Sequence, residues 1–131
     1  MFGLGKLKFR GVDKKTVSDQ AHIDDYNNAE EIGRVRLGGL CLYYRDLGRK
    51  YYVPYEYIDR RFTRVSVVEP DDSPAYFYYR LILVHGEKEF ANLIFEKEED
   101  VERIHVRLEE IRPEIEKGYI PPADGKRRYF A

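Results

Sequence analysis

From Arg34 onward, apolar and polar residues alternate with the two-residue period of strands. Val35 and Leu37 alternate with Arg34 and Arg36, and Gly38-Gly39 breaks or bends the run. Leu40 to Arg45 reads as the next strand, Asp46-Leu47-Gly48 as a tight turn, and Lys50 to Val53 as the returning strand. Pro54 marks its edge or end, because proline has no N–H for a ladder. Phe62 to Glu69 alternates again, with Val65 and Val67 opposite Arg64 and Ser66, before the loop Pro70-Asp71-Asp72-Ser73-Pro74. Ala75 to His85 carries the clearest strand pattern. Phe77, Tyr79, Leu81 and Leu83 share one face, and Tyr76, Tyr78, Arg80, Ile82 and Val84 the other. The second face turns apolar toward its end, as in a strand covered on both sides. Gly86 sets a turn, and Glu89 to Phe95 pairs back.

The period then becomes that of a helix. Val101, Ile104, Leu108 and Ile111 form an apolar stripe, with Glu98, Glu99 and Asp100 favourably near the N-terminus. Burying the four aliphatics contributes at most roughly 6–12 kcal/mol, against ~0.3–0.5 for the i,i+4 pair Glu99 and Arg103, so packing decides this helix. Pro113 ends or kinks it, with room for a further turn before Gly118. At the other end, Met1 to Lys15 reads as a basic, Gly-broken, loosely held arm. Thr16 and Asp19 resemble a weak capping pair for a helix from about Ser18 to Glu31, with Ile23 and Tyr26 on one face. The expected organisation is therefore 1–33 arm and short helix, 34–113 strands and terminal helix, and 114–131 a tail containing Pro121-Pro122 and Lys126-Arg127-Arg128.

A chain of 131 residues is large enough for one domain with a real core, and 43% hydrophobic with 15% aromatic residues argues against disorder. Twelve Tyr and no Trp fit half-buried strands, where the ring packs and the hydroxyl reaches water. Cys41 is the only cysteine, so no intrachain disulfide forms, and its apolar strand suggests a buried small hydrophobe. No secretory leader, spanning segment or myristoylation is expected, since the sequence as given shows no h-region before a cleavage site, no apolar run of spanning length, and Phe2 where a Gly would be needed. A cytoplasmic protein is expected, with membrane association left open. The formal net charge of -1 is uneven. Between 34 and 64, Arg34, Arg36, Arg45, Arg49, Lys50, Arg60, Arg61 and Arg64 face only Asp46, Glu56 and Asp59, while the last helix is flanked by glutamates. Such asymmetry steers a partner or is an ordinary solvated surface.

Leu42-Tyr43-Tyr44, Tyr51-Tyr52-Val53-Pro54-Tyr55-Glu56-Tyr57-Ile58 and Arg64-Val65-Ser66-Val67-Val68 together resemble the pleckstrin-homology superfold with its bacterial and GRAM-like relatives. Those relatives run from strand through turn into a strand ending near Pro, then an Ile before the next strand, the place of Ile58. The resemblance covers about residues 32 to 113. It implies a mainly β (α+β) fold: a partly open antiparallel barrel of six to seven strands in two nearly orthogonal sheets, capped by a C-terminal helix. An N-terminal helical extension precedes it here. Members bind phosphoinositides, peptides or other proteins, so the resemblance implies no single function. The chain departs from the phosphoinositide-binding pattern, because Arg45, Arg49 and Lys50 flank one short turn with Asp46 between them.

Chemistry-bearing motifs are missing: there is no nucleophile elbow, P-loop, dinucleotide fingerprint or HExxH. His22, His85 and His105 share no ligand spacing with Cys41, and His105 borders the apolar helix stripe as a packed residue. Asp24-Asp25 and Glu30-Glu31 read more readily as a solvated helix face than as an acid–base pair. No enzyme, cofactor or metal is expected. The leading expectation is an interaction module for a protein or peptide, with Tyr51, Tyr52, Tyr55, Tyr57, Tyr76, Tyr78 and Tyr79 as candidate area. The alternative is peripheral binding to an anionic membrane through Arg45, Arg49, Lys50, Arg60 and Arg61, aided by Lys6, Lys8 and Arg10. A sequence pI near 6.3 disfavours nucleic acid. The surface set singled out is Arg45, Arg49, Lys50 and Tyr52.

Overall fold

A computed structural model of the chain describes residues 7–12 and 15–119. Strand outweighs helix, and the chain divides into two compact units, Met1–Tyr57 and Ile58–Ala131. The first unit holds strands β1 (Phe9–Gly11), β2 (Thr16–Val17), β3 (Glu30–Ile32), β4 (Val35–Leu37), β5 (Cys41–Asp46) and β6 (Arg49–Pro54) in the order β2-β1-β6-β5-β4-β3. From β3 to β6 the strands are successive antiparallel hairpins, whereas β1 joins β6 in parallel with Arg10 opposite Tyr51. The β5–β6 hairpin closes through Leu47 and Gly48, whose φ values of 51° and 80° carry the double positive φ of a type I′ turn.

One face of this sheet is covered by α1 (Gln20–Asn28), which Asp19 caps by accepting from the His22 backbone N–H. Tyr26 packs with Phe9, Cys41, Tyr43 and Tyr52, and the Tyr26 and Tyr43 rings meet edge to face at 5.5 Å. Arg36 lies 4.3 Å over the Tyr26 ring and donates to the Tyr26 carbonyl, tying down the end of the helix. Burial and the neighbouring Asp25 push the Cys41 thiol up to about 11, which keeps it inert.

Asp25 is the polar fastening of this unit. Its carboxylate accepts from the backbone N–H groups of Gly39 (2.7 Å), Leu40 (3.1 Å) and Cys41 (3.3 Å), and from the Tyr43 hydroxyl (2.7 Å). The carboxylate fills the space beside Gly38, where an added Cβ would lie 2.2 Å from Asp25 Oδ2. On the carbonyl side, the buried Tyr55 hydroxyl donates to Gly38 O at 2.6 Å. The run Gly38-Gly39 thus bends around a charged side chain because only a residue without Cβ admits it. Asp25 is no part of a solvated helix face; its neighbour Asp24 is exposed and takes a bond from Gln20.

The second unit is a four-stranded sheet with one helix. Strands β7 (Arg60–Val68), β8 (Tyr76–His85) and β9 (Lys88–Phe95) form an antiparallel meander, and β10 (Glu116–Lys117) joins β7 in parallel to give the order β10-β7-β8-β9. The helix α2 (Glu98–Ile111) lies against β7, β8 and β9 with Val101, Ile104 and Leu108 fully buried. It stops one residue short of Arg112, the residue before Pro113, as the ring of a proline demands of its predecessor. Ile58, at the place expected before the strand, is buried.

Several sequence expectations change in the structure. The arm is in part a strand: Phe9 is fully buried because β1 pairs with both β2 and β6, while residues 1–6 and 13–14 lie outside the described residues. The first helix is shorter than 18–31, since Thr16 and Glu30 go into strands and leave Asp19 as the cap. The tail begins later than 114, because Glu116 and Lys117 pair with Arg60 and Arg61; its remainder from 120 lies outside the described residues. Among the described residues there are ten strands where six or seven were expected, the extra ones being two or three residues long and too short to show a period. They sort into two separate sheets without a closed barrel.

Three substitutions test these contacts. Asp25→Asn turns one acceptor oxygen into a donor facing other donors and lowers stability by roughly 2–3 kcal/mol, and Gly38→Ala by about 1–3, in urea unfolding. Ile104→Ala costs about 2–5 kcal/mol in the same measurement.

Candidate functional site

The residues singled out in the sequence separate in the structure. Arg45 and Arg49 are exposed and Lys50 is half-buried on the β5–β6 hairpin, with Arg45 4.0 Å from Glu31. Arg34 lies 3.6 Å from Asp46, so part of the basic character here is neutralised locally. Tyr52 is only 6% exposed and sits in the aromatic core 5.5 Å from His22, so its ring does not join the surface of the basic turn. The turn itself projects Leu47, which is 93% exposed.

A larger apolar surface lies in the second unit. Registers Arg61–Leu83–Ala91, Thr63–Leu81–Leu93 and Val65–Tyr79–Phe95 define one face of the sheet, extended by Val67 opposite Phe77. His105 of α2 reaches Arg61 and Thr63, which places the helix over that face. Beneath it Leu81, Leu83 and Leu93 are fully or almost fully buried. Beyond Thr63 the cover ends: Val65 is 41%, Val67 52% and Phe77 49% exposed. On the opposite face at the same end, Tyr76 and Ile94 are exposed as well. The tip of the β7–β8 hairpin therefore shows apolar side chains on both faces.

Charged groups around this surface are tied to one another. Arg61, 2% exposed, donates to His105 Nδ1 and to Glu109 Oε1, each at 2.9 Å, and Glu109 also meets Lys117 at 3.1 Å. An arginine only donates, so His105 Nδ1 is the acceptor and its proton sits on Nε2, 2.9 Å from Thr63 Oγ1. Burial, and secondarily the Arg61 charge, pushes His105 down to about 4. Lys117 chiefly, with Arg61, holds Glu109 below the usual carboxylate range. Arg64 is buried and donates both Nη groups to Glu89, at 3.1 and 2.6 Å. Among the described residues no group of three or more His, Cys, Asp or Glu is arranged to hold a metal ion, and no helix is long and apolar enough to cross a membrane. Comparisons with known protein families, curated proteins and solved structures found no match.

Sequence reasoning missed Val65, Val67 and Phe77 because strand alternation marks them as core positions. The signal that finds them is a shortage: four aliphatic positions on the last helix are too few to cover the odd-numbered face of three strands.

The low His105 value sets a pH dependence. In the unfolded chain this imidazole titrates near 6.5, in the folded one near 4, so the unfolded state takes up the proton first. The stabilisation is complete above about pH 6.5 and is lost as pH falls toward 4. Between about pH 7.5 and pH 5.5 urea unfolding should show a loss of up to about 1 kcal/mol, and His105→Gln should flatten that slope.

Proposed function

We propose that this chain is a non-enzymatic, pleckstrin-homology-like interaction module of the cytoplasm, taking a protein or peptide partner on the uncovered end of its second sheet. One observation carries the reading: Val65, Val67 and Phe77 form a contiguous exposed apolar patch on adjacent strands, with Tyr76 and Ile94 behind it. Exposed apolar side chains that adjoin one another on a regular sheet mark contact surfaces more often than scattered ones do. The groups that catalysis would need are already engaged, His105 by Arg61 and Thr63 and Asp25 by three backbone N–H groups and a hydroxyl. Two sheets followed by a helix support the proposed fold relationship.

A double substitution Val67→Asp with Phe77→Asp tests this reading. The two positions stand opposite each other across β7 and β8, so the paired carboxylates should lower stability by about 1–2 kcal/mol, and circular dichroism checks that the double variant stays folded. In native extract the tagged chain should elute larger than a monomer, and the double variant should collapse to monomer size. Arg45→Glu with Arg49→Glu should leave the complex intact. A complex indifferent to the first pair and destroyed by the second would overturn the assignment.

A second reading, binding to an anionic membrane through the basic hairpin, is favoured by Leu47. A non-glycine residue at φ 51° is costly, and Asn would suit that turn position better. Here a nearly fully exposed leucine sits between Arg45 and Arg49–Lys50, the arrangement of an apolar tip in a cationic collar. Leu47→Asn should raise stability by up to about 1 kcal/mol while lowering recovery with anionic vesicles in flotation. Equal recovery of the unsubstituted chain with neutral and anionic vesicles at low salt would dispose of this reading.

A further inference from the structure

We infer that the partner on this surface is a second copy of the chain, joined by antiparallel pairing of β7 with itself about Val65. The inference rests on the reading that the uncovered end of the second sheet docks a protein, and it names the occupant. Its basis is the direction of the backbone along β7. Glu116 N–H donates to the Asp59 carbonyl and Gly118 N–H to the Arg61 carbonyl, so odd-numbered carbonyls here point away from β8 toward β10. Strand geometry carries that direction forward to Thr63, Val65 and Val67. β10 pairs only with Arg60 and Arg61, and among the described residues no other strand continues along that edge.

A free edge of this length is ordinarily guarded by a charge, a proline or a bulge. From Thr63 to Val68 there is no proline, and the one bulge lies between β8 and β9. The one charged side chain in that run, Arg64, is drawn into its two bonds with Glu89 and is buried, so it does not guard the edge. What remains is a β-branched row of Thr63, Val65 and Val67 on one face, with Phe77 beside Val67.

The sequence of this edge complements itself. A two-fold axis through Val65 sets Val65 against its own copy, Thr63 against Val67, Arg64 against Ser66 and Phe62 against Val68. Apolar meets β-branched on the exposed face, and no like charges stand opposite each other. All the residues whose backbone groups point outward, Thr63, Val65 and Val67, become paired at once. The product is a closed isologous dimer with one continuous sheet, and it joins the exposed Val65, Val67 and Phe77 of both copies into one surface.

The test uses the full chain and two single substitutions at the axis. Sedimentation over a dilution series should show a monomer–dimer equilibrium, with slow hydrogen exchange at the Val65 and Val67 amides only at the concentrated end. Val65→Lys and Val65→Glu each bring a like charge against its copy and should weaken the dimer about tenfold or more, and an equal mixture of the two should restore it. Circular dichroism checks that each variant is folded. A monomer throughout, edge amides protected at every dilution (an occupant from within the same chain), or a dimer that ignores both substitutions would overturn the inference. A purified monomer whose complex in extract still depends on Val67 and Phe77 would overturn the self-pairing and leave the interaction reading standing.

Discussion

The second sheet presents more apolar surface than its single helix covers. Three buried side chains of α2 sit over the end of the face that carries Leu81, Leu83 and Leu93, and the face continues past them to Val65, Val67 and Phe77. Water against those side chains is unfavourable by roughly 25 cal/mol for each Å² that a partner would remove. The proposed role follows from this mismatch between strand length and helix cover. The backbone adds direction to it, since an edge with outward N–H and C=O groups selects another strand over an arbitrary apolar surface.

Polar chemistry goes into the internal fastening of each unit by itself. In the first unit the Asp25 carboxylate organises the bend at Gly38–Gly39 by gathering three N–H groups and the Tyr43 hydroxyl. In the second, Arg61, His105, Thr63, Glu109 and Lys117 link β7, α2 and β10 in one chain of contacts. An arginine 2% exposed is costly to desolvate, and Glu109 with the neutral imidazole offsets that cost. Such networks hold their partners in a fixed geometry and so favour rigidity, although the buried Arg61 Nε–H is left without an acceptor among the described residues.

Much of the layout was legible from periodicity alone. The strands around Cys41–Asp46, Arg49–Pro54, Arg60–Val68, Tyr76–His85 and Lys88–Phe95 follow the alternation of the sequence, and the stripe Val101, Ile104 and Leu108 is the buried face of α2. Of the short strands Val35–Leu37 was legible from its alternation, whereas β1, β2, β3 and β10 were not, because two or three residues such as Glu30–Ile32 or Glu116–Lys117 acquire strand character only from the neighbour they pair with. Tyr52 illustrates a different limit. Its place in a run of tyrosines suggests a surface ring, yet the parity of the hairpin turns it onto the face where α1 packs. Asp25 was illegible for a third reason, since its partners lie 14 to 18 residues away in the chain.

The central claim is that the uncovered end of the second sheet, and not the basic turn of the first, is where this protein meets its partner. Site-specific photo-crosslinking in living cells measures that directly, with the reactive group placed at Val67, at Phe77 or at Arg49 in separate full-length chains. Defined adducts from positions 67 and 77, and none from 49, are the predicted result. Adducts from 49 alone, or silence from 67 and 77, would contradict it.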